Sequence, residues 1–265
     1  DAMMAAIDEY LPVFRKYLRK KGGMLGHVNG LPWYDLFAPL GKADKTYSIE
    51  EAKQYLIDTF TKLTPEMADL MREAFENEWI DFYPRKGKEG GAFCAGAMWL
   101  KQSRILTNYD GYFGSVDTLA HELGHAFHNR QIENHAPLNQ DYPMPVAETA
   151  STFNEVHLGK EARAEASGEE LLNLLENDIK EQTQCIVDIY SRYLFETAVF
   201  EQSQNKFLMA DDLKQIMLDA QKKTYGDGLD PECMHPYMWV CKGHYYSEGL
   251  SFYNCLLYTS DAADD

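Results

Sequence analysis

Apolar residues recur along this chain at spacings of three and four, the pattern of helices that bury one face. Near the start, Ala6, Tyr10, Val13, Phe14, Tyr17 and Leu18 form such a stripe. Similar stripes predict helices over roughly 2–21, 48–62, 65–78, 115–133, 145–158, 168–202, 210–223 and 235–254. Residues 20–48, KKGGMLGHVNGLPWYDLFAPLGKADKTYS, break the pattern with a long Gly/Pro connection. It ends at Ser48, and Glu51 three residues later completes a capping box. Around GGAFCAG and RILTNYDG the helical period disappears, which predicts short strands joined by a loop through Met98 and Lys101. The expected fold is mainly α, with a small β-sheet immediately before the helix over 115–133.

That helix carries HELGHAFH, residues 121–128. Gly114 and Ser115 suit a capped start, with Asp117 in the first turn where negative charge is favoured. Val116, Leu119, Leu123 and Phe127 share one stripe. His121 and His125, four residues apart, project together on nearly the opposite side, free to face a cleft. Glu122 is turned about a quarter of the circumference from His121. This suits a general base that touches a metal's water without ligating the ion, the logic of H-E-x-x-H. The pattern arises by chance in roughly one chain per hundred of this length, so its context decides its meaning.

A zinc ion of this type takes three protein ligands and keeps a fourth position for water. The metzincin positions for a glycine and a third histidine hold His128 and Gln131, which excludes that class. His128 lies about 10 Å along the axis from His121, too far to share one ion, and is expected to be a polar wall or core residue. A glutamate from a second helix is the other solution. PMPVAETASTFNEVH supplies Glu148 and Glu155 on one face of a helix begun by Pro145. Glu148, near the start, is the expected third ligand. Glu155 is expected to accept a hydrogen bond from a ligand histidine, against the plainer alternative of a solvated helix face.

Composition narrows the partners. The chain has 265 residues, 45% hydrophobic and 13% aromatic, enough to bury a core. Its net charge of −17 disfavours nucleic acid and anionic membranes, which would repel it. No run approaches the roughly 20 apolar residues of a membrane span, and residues 1–10 lack a secretory pattern. Cys94, Cys185, Cys233, Cys241 and Cys255 include no CxxC pair. Free thiols in a reducing, cytoplasmic compartment are expected. The chain opens inside an amphipathic pattern, so its domain is expected to begin upstream and to occupy residues 1–254 as a partial catalytic domain. Residues 255–265, CLLYTSDAADD, read as a non-native tail resembling a translated sequencing adapter. Without its three aspartates the charge is −14, and the acidic reading stands.

A co-linear series spanning nearly all of residues 8–254 resembles a known family. LPWYDLFAPL, DFYPRKGKEGGAFC, HELGHAFH, VAETASTFNE and HPYMWVCKGHYYSEGLSFYN are similar to segments of the oligoendopeptidase F branch of the thimet-oligopeptidase-like zinc metallopeptidases. The resemblance implies a helical zincin-type domain with a deep channel that admits short peptides and excludes folded proteins. It implies His121, His125 and Glu148 as ligands of one zinc ion and Glu122 as the base. It also implies that His244 and Tyr253, with Tyr246 as the rival tyrosine, donate to the oxyanion of the reaction. GGAFCAG and LTNYDG resemble the family's segments beside the cleft, where an extended peptide can add to a strand edge. The family's N-terminal helical lobe and later helices, including another active-site tyrosine, have no counterpart in this sequence, so weak catalysis by these residues alone is expected.

Three other readings remain. A zinc aminopeptidase needs acidic residues that grip the substrate amine, commonly in G-x-M-E-N, whereas residues 96–100 read GAMWL. A helical metallocarboxypeptidase can share H-E-x-x-H and a later glutamate, and a peptide blocked at both ends separates it from an endopeptidase. A non-catalytic peptide-binding module would have no use for Glu122 beside a metal.

Overall fold

The computed structural model describes residues 2–40, 45–242 and 244–247, with backbone only at 144, 145, 244 and 247. It divides into two compact units, one of residues 41–175 and one of residues 1–40 with 176–265. Among the described residues no helix is long and apolar enough to cross a membrane.

In the 41–175 unit, α2 (Ile49–Thr61) starts at the capping box read from the sequence. Glu51 N donates to Ser48 Oγ at 3.2 Å, and Ser48 N donates to Glu51 Oε2 at 2.8 Å. Proline opens α3 (Pro65–Glu76), where its missing N–H leaves no ladder bond unmade. Strands β1 (Ile80–Asp81), β2 (Phe93–Ala97) and β3 (Gln102–Leu106) follow in the spatial order β1-β3-β2. β3 pairs in parallel with β1 and antiparallel with β2, Cys94 opposite Ile105 and Gly96 opposite Ser103. Lys101 takes the left-handed conformation at the turn between β2 and β3. α4 (Phe113–Ile132) and α5 (Met144–Glu165) complete the unit. Val116, Leu119 and Leu123 of α4 are fully buried against Leu56, Phe60, Met71 and Ile105. Burial of this stripe, at roughly 25 cal/mol per Å² of apolar surface, holds α4 down and fixes where its other face points.

The other unit packs α1 (Ala2–Met24), α7 (Ile189–Ser203) and α8 (Ala210–Tyr225) around Leu18, Leu31, Tyr190, Met217 and Tyr225.

Several predicted boundaries are corrected. α4 begins at Phe113, two residues early, so Asp117 falls in its second turn and Ser115 is not the cap. Ser115 Oγ donates instead to Asp110 Oδ1 at 2.6 Å, which also accepts from Tyr112 N at 3.1 Å. This local turn competes for the hydroxyl that a cap would use. α5 begins at Met144 rather than Pro145 and runs on to Glu165, placing Glu148 in its second turn. The helix predicted over 168–202 is α6 (Gly168–Thr183), a wider π-type turn at Gln184–Asp188, and α7.

The helix predicted over 235–254 is the largest correction. Residues 236–237 form a turn, Met238–Cys241 is a short 3-10 turn, and only His244–Ser247, α9, is α-helical within the described residues of this stretch. Gln221 of α8 captures the His235 backbone, accepting from His235 N at 3.0 Å and donating to His235 O at 2.8 Å. Pro236 has no N–H to offer a helix. The aromatic period there reflects packing: Met238 and Tyr245 are buried, and Phe195 meets the rings of Trp239 and Tyr245.

Candidate metal centre

His121 and His125 lie one turn apart on α4, and Glu148 reaches them from α5. The distances are 3.2 Å between the two Nε2 atoms, 3.3 Å from His121 Nε2 to Glu148 Oε2, and 3.2 Å from His125 Nε2 to the same oxygen. These three are the group of His, Cys, Asp and Glu side chains, among the described residues, that could hold a metal ion.

The triangle fits a cation. Ligand atoms about 2.0–2.1 Å from a tetrahedral zinc ion stand about 3.3–3.4 Å apart, close to the three edges found here. The donors are also chemically apt, since imidazole nitrogens and a carboxylate oxygen are the usual zinc donors, and with Nδ1 of His121 engaged by Glu155 its Nε2 is the nitrogen turned to the triangle. Electrostatics states the same demand. Burial opposes a charge on His121, but hydrogen bonds to Glu148 and Glu155 outweigh it and hold its pKa up at about 10. Burial also disfavours the Glu148 carboxylate, yet hydrogen bonds from His121, His125 and Ser151 keep its pKa far below the usual range.

Glu155 lies one further stretch along α5, with Oε1 2.9 Å from His121 Nδ1. That contact fixes the ring's orientation and turns Nε2 towards the triangle. Glu122, beside His121, is 4% exposed. Its Oε2 is buried with no hydrogen-bond partner among the described residues, and burial pushes its pKa up. A carboxylate left with an unsatisfied oxygen beside a set of metal ligands is poised to take a proton.

A cavity of about 310 Å³ is lined by His121, Glu122, His125 and Glu148 together with Phe93 and Tyr142. A larger one of about 440 Å³, bordered by Lys45, Tyr47, Tyr55 and Glu170, shares no lining residue with it. The smaller cavity contains the candidate ligand group.

Several residues that shape the centre were not singled out in the sequence. Gly124 is the most consequential, because a Cβ there would stand 2.6 Å from Ala150 O and 2.7 Å from Ser151 Cα. Only glycine lets α4 and α5 approach closely enough for Glu148 to reach the histidines. The signal was an interior helix glycine, which costs about 1 kcal/mol relative to alanine and so calls for a packing reason. Fully buried Asn154 locks the same crossing, its Nδ2 donating to Ala120 O at 2.9 Å. Ser151 Oγ donates to Glu148 Oε2 at 2.8 Å and steadies the carboxylate.

The remaining sequence candidates fall elsewhere. His128 is outside the ligand group, its ring centroid 4.3 Å from that of Tyr142. The side chain of His244 and the whole of Tyr253 lie outside the described residues. Tyr246 is exposed and donates to Trp239 O at 3.2 Å.

Similar proteins carry related names. Oligopeptidase PepF of Bacillus subtilis is 31% identical over 262 residues, 93% of this chain and 37% of its own length. Oligoendopeptidase F (chromosomal) of Lactococcus lactis subsp. cremoris is 25% identical over 93% of this chain and 41% of its own. The chain thus spans about 40% of the length of these relatives. Among solved structures, a Chlamydophila abortus protein described as a peptidase superposes with a TM-score of 0.75 at 23% identity, over 99% of this chain and 44% of that one. Oligoendopeptidase-F from Enterococcus faecium gives 0.62 at 19% identity, over 100% and 40%. At these identities the superpositions speak to the mainly α fold. A family model matching residues 3–259 settles the kinship: the chain belongs to peptidase family M3.

Proposed function

We propose that this chain carries the catalytic centre of a zinc-dependent endopeptidase that hydrolyses short oligopeptides, with His121, His125 and Glu148 holding one zinc ion and Glu122 as general base. The observation that carries the reading is the nearly equilateral triangle of donor atoms with the unpartnered Glu122 Oε2 on the next residue. A zinc ion in this position would polarise the scissile carbonyl and acidify its water.

The chain's own groups then divide the work. Glu122 takes the proton of the attacking water on a carboxylate oxygen and returns it to the departing amine, a transfer worth about 10²–10⁴-fold in rate. Its raised pKa, caused by burial, helps it hold that proton between the two events. Glu155 orients His121 through the far ring nitrogen, and Ser151 steadies Glu148 at Oε2, the oxygen that faces the two histidines. β2 is one of the two edge strands of the sheet and lines the same cavity through Phe93, Cys94 and Gly96, so an extended peptide can pair along it. The family resemblance extends the proposal to His244 and Tyr253 as oxyanion donors, one such bond contributing about 3 kcal/mol. The acidic composition and free thiols favour the cytoplasm as the compartment.

The test is cleavage of an internally quenched peptide of about eight residues blocked at both ends. Chelation should abolish it and one equivalent of zinc should restore it. Cleavage confined to peptides with a free carboxyl terminus would favour a carboxypeptidase, and zinc-loaded protein that binds the peptide without cutting it would favour a binding module.

A further inference from the structure

Asn129 stands one turn beyond His125 and two beyond His121 on the same face of α4, and it is buried, 7% exposed. Three elements meet on its amide. Its Nδ2 donates to Ser103 Oγ of β3 at 3.1 Å and lies 3.9 Å from Cys94 Sγ of β2. Its Oδ1 accepts from the hydroxyl of Tyr142, in the loop before α5, at 3.4 Å. The backbone of β2 is packed onto the same group, since a Cβ on Gly96 would stand 3.1 Å from Asn129 Nδ2. Asn129, Cys94, Gly96 and Tyr142 all line the cavity that holds the metal ligands.

A leucine at this position could fill the space, but it could not hold a donor and an acceptor in fixed directions. An amide does both, and in a buried setting each bond is costly to break. The amide therefore ties α4 to β3 by a direct bond, holds β2 against it through the Cys94 contact and the packing at Gly96, and reaches the tyrosine on the cavity wall. Displacement of a bound peptide by 1 Å relative to the reacting groups can cost about 10²-fold, so this spacing has consequences for the reaction.

We propose that Asn129 is a positioning residue: it fixes β2 and Tyr142 relative to the ligand triangle and so sets how a peptide main chain lies across the site. The inference rests on the peptidase reading and adds to it a residue that touches neither metal nor scissile bond.

The experiment compares the zinc-loaded parent chain with Asn129→Ala, Ser103→Ala and the double variant, using two probes. Acetohydroxamate reaches only the metal, whereas a phosphinic peptide of about six residues also lies along the strand. Expected is unchanged acetohydroxamate affinity in all four proteins and phosphinic-peptide affinity about tenfold weaker in each single variant. The double variant should bind the peptide no worse than Asn129→Ala, because both changes cut one network. Where cleavage is measured, KM should rise more than kcat falls. The inference is overturned if both probes weaken together, which would mark a role in the metal site or in folding, or if peptide affinity does not change. Ser103→Ala, a loss of one hydroxyl, keeps the test decisive should Asn129→Ala fold poorly. If the zinc-loaded parent binds neither probe, the peptidase reading itself falls.

Discussion

Glu122 and Glu176 are both buried carboxylates on helices, one in each compact unit, yet their surroundings are opposite. In the unit of residues 1–40 and 176–265, Glu176 Oε1 accepts from Lys21 Nζ and from the Tyr17 hydroxyl, each at 2.7 Å, while Lys21 also donates to Leu36 O at 3.0 Å. Burial lowers the Lys21 pKa despite this partner, and burial with the Glu176 bond raises that of Tyr17. That carboxylate oxygen accepts from two donors at once. In the 41–175 unit, Glu122 keeps a buried oxygen without a partner among the described residues, and burial shifts it towards the protonated form. A buried acid whose bonds are made contributes to the fold, whereas one left open beside the candidate metal ligands is available for the proposed chemistry.

The comparison breaks most readily at Glu122. Glu122→Gln keeps the shape and removes the base, so kcat on the blocked peptide should fall about 10²–10⁴-fold while zinc content holds and the melting temperature stays level or rises. An unstable but active variant would reverse the two assignments. At Glu176 the opposite pattern is expected. Lys21→Met strands the carboxylate and should destabilise the protein by about 3–5 kcal/mol in a urea titration, without altering zinc stoichiometry. Adding Glu176→Met should recover much of that loss, because the dehydration of both charges is then relieved together.

The contrast also explains what the sequence made legible. HELGH places its two imidazoles by helical periodicity alone, a relation within one element, and the apolar stripe of Val116, Leu119 and Leu123 that seats the helix obeys the same rule. The loss of helical period around GGAFCAG and RILTNYDG does mark strands, although β3 begins two residues earlier, at Gln102, and ends at Leu106. What escaped depends on contacts between elements. Gln221 diverts the backbone at His235 from a helix that its aromatic spacing suggests. The roles of Gly124, Ser151 and Asn154 exist only because α4 and α5 cross, which no spacing along one helix announces. Gly124→Ala measures that crossing. The added methyl would meet Ala150 O at 2.6 Å and drive the helices apart. Better helix propensity offsets part of the strain, and a net loss of about 1–2 kcal/mol with weaker zinc retention is expected. Unchanged stability and zinc affinity would mean that Glu148 reaches the histidines without so close a crossing.

Glu155 is the intermediate case that sharpens the contrast, because it is half-buried and has one bond, to His121 Nδ1 at 2.9 Å. If it acts by orienting and polarising the imidazole, Glu155→Ala should weaken zinc binding by about tenfold, the low end of the range for such outer partners since solvent can replace part of the bond. Competition with a chelator of known affinity reads this directly. Glu155→Gln separates the two components: an amide oxygen can still accept from Nδ1–H and keep the ring turned, but it supplies no charge. A Gln variant close to the parent would make orientation the main effect, and one as weak as the Ala variant would make it charge. Neither change should move the urea midpoint as far as Lys21→Met, because the bond at Glu155 is partly replaceable by water and the one at Glu176 is not.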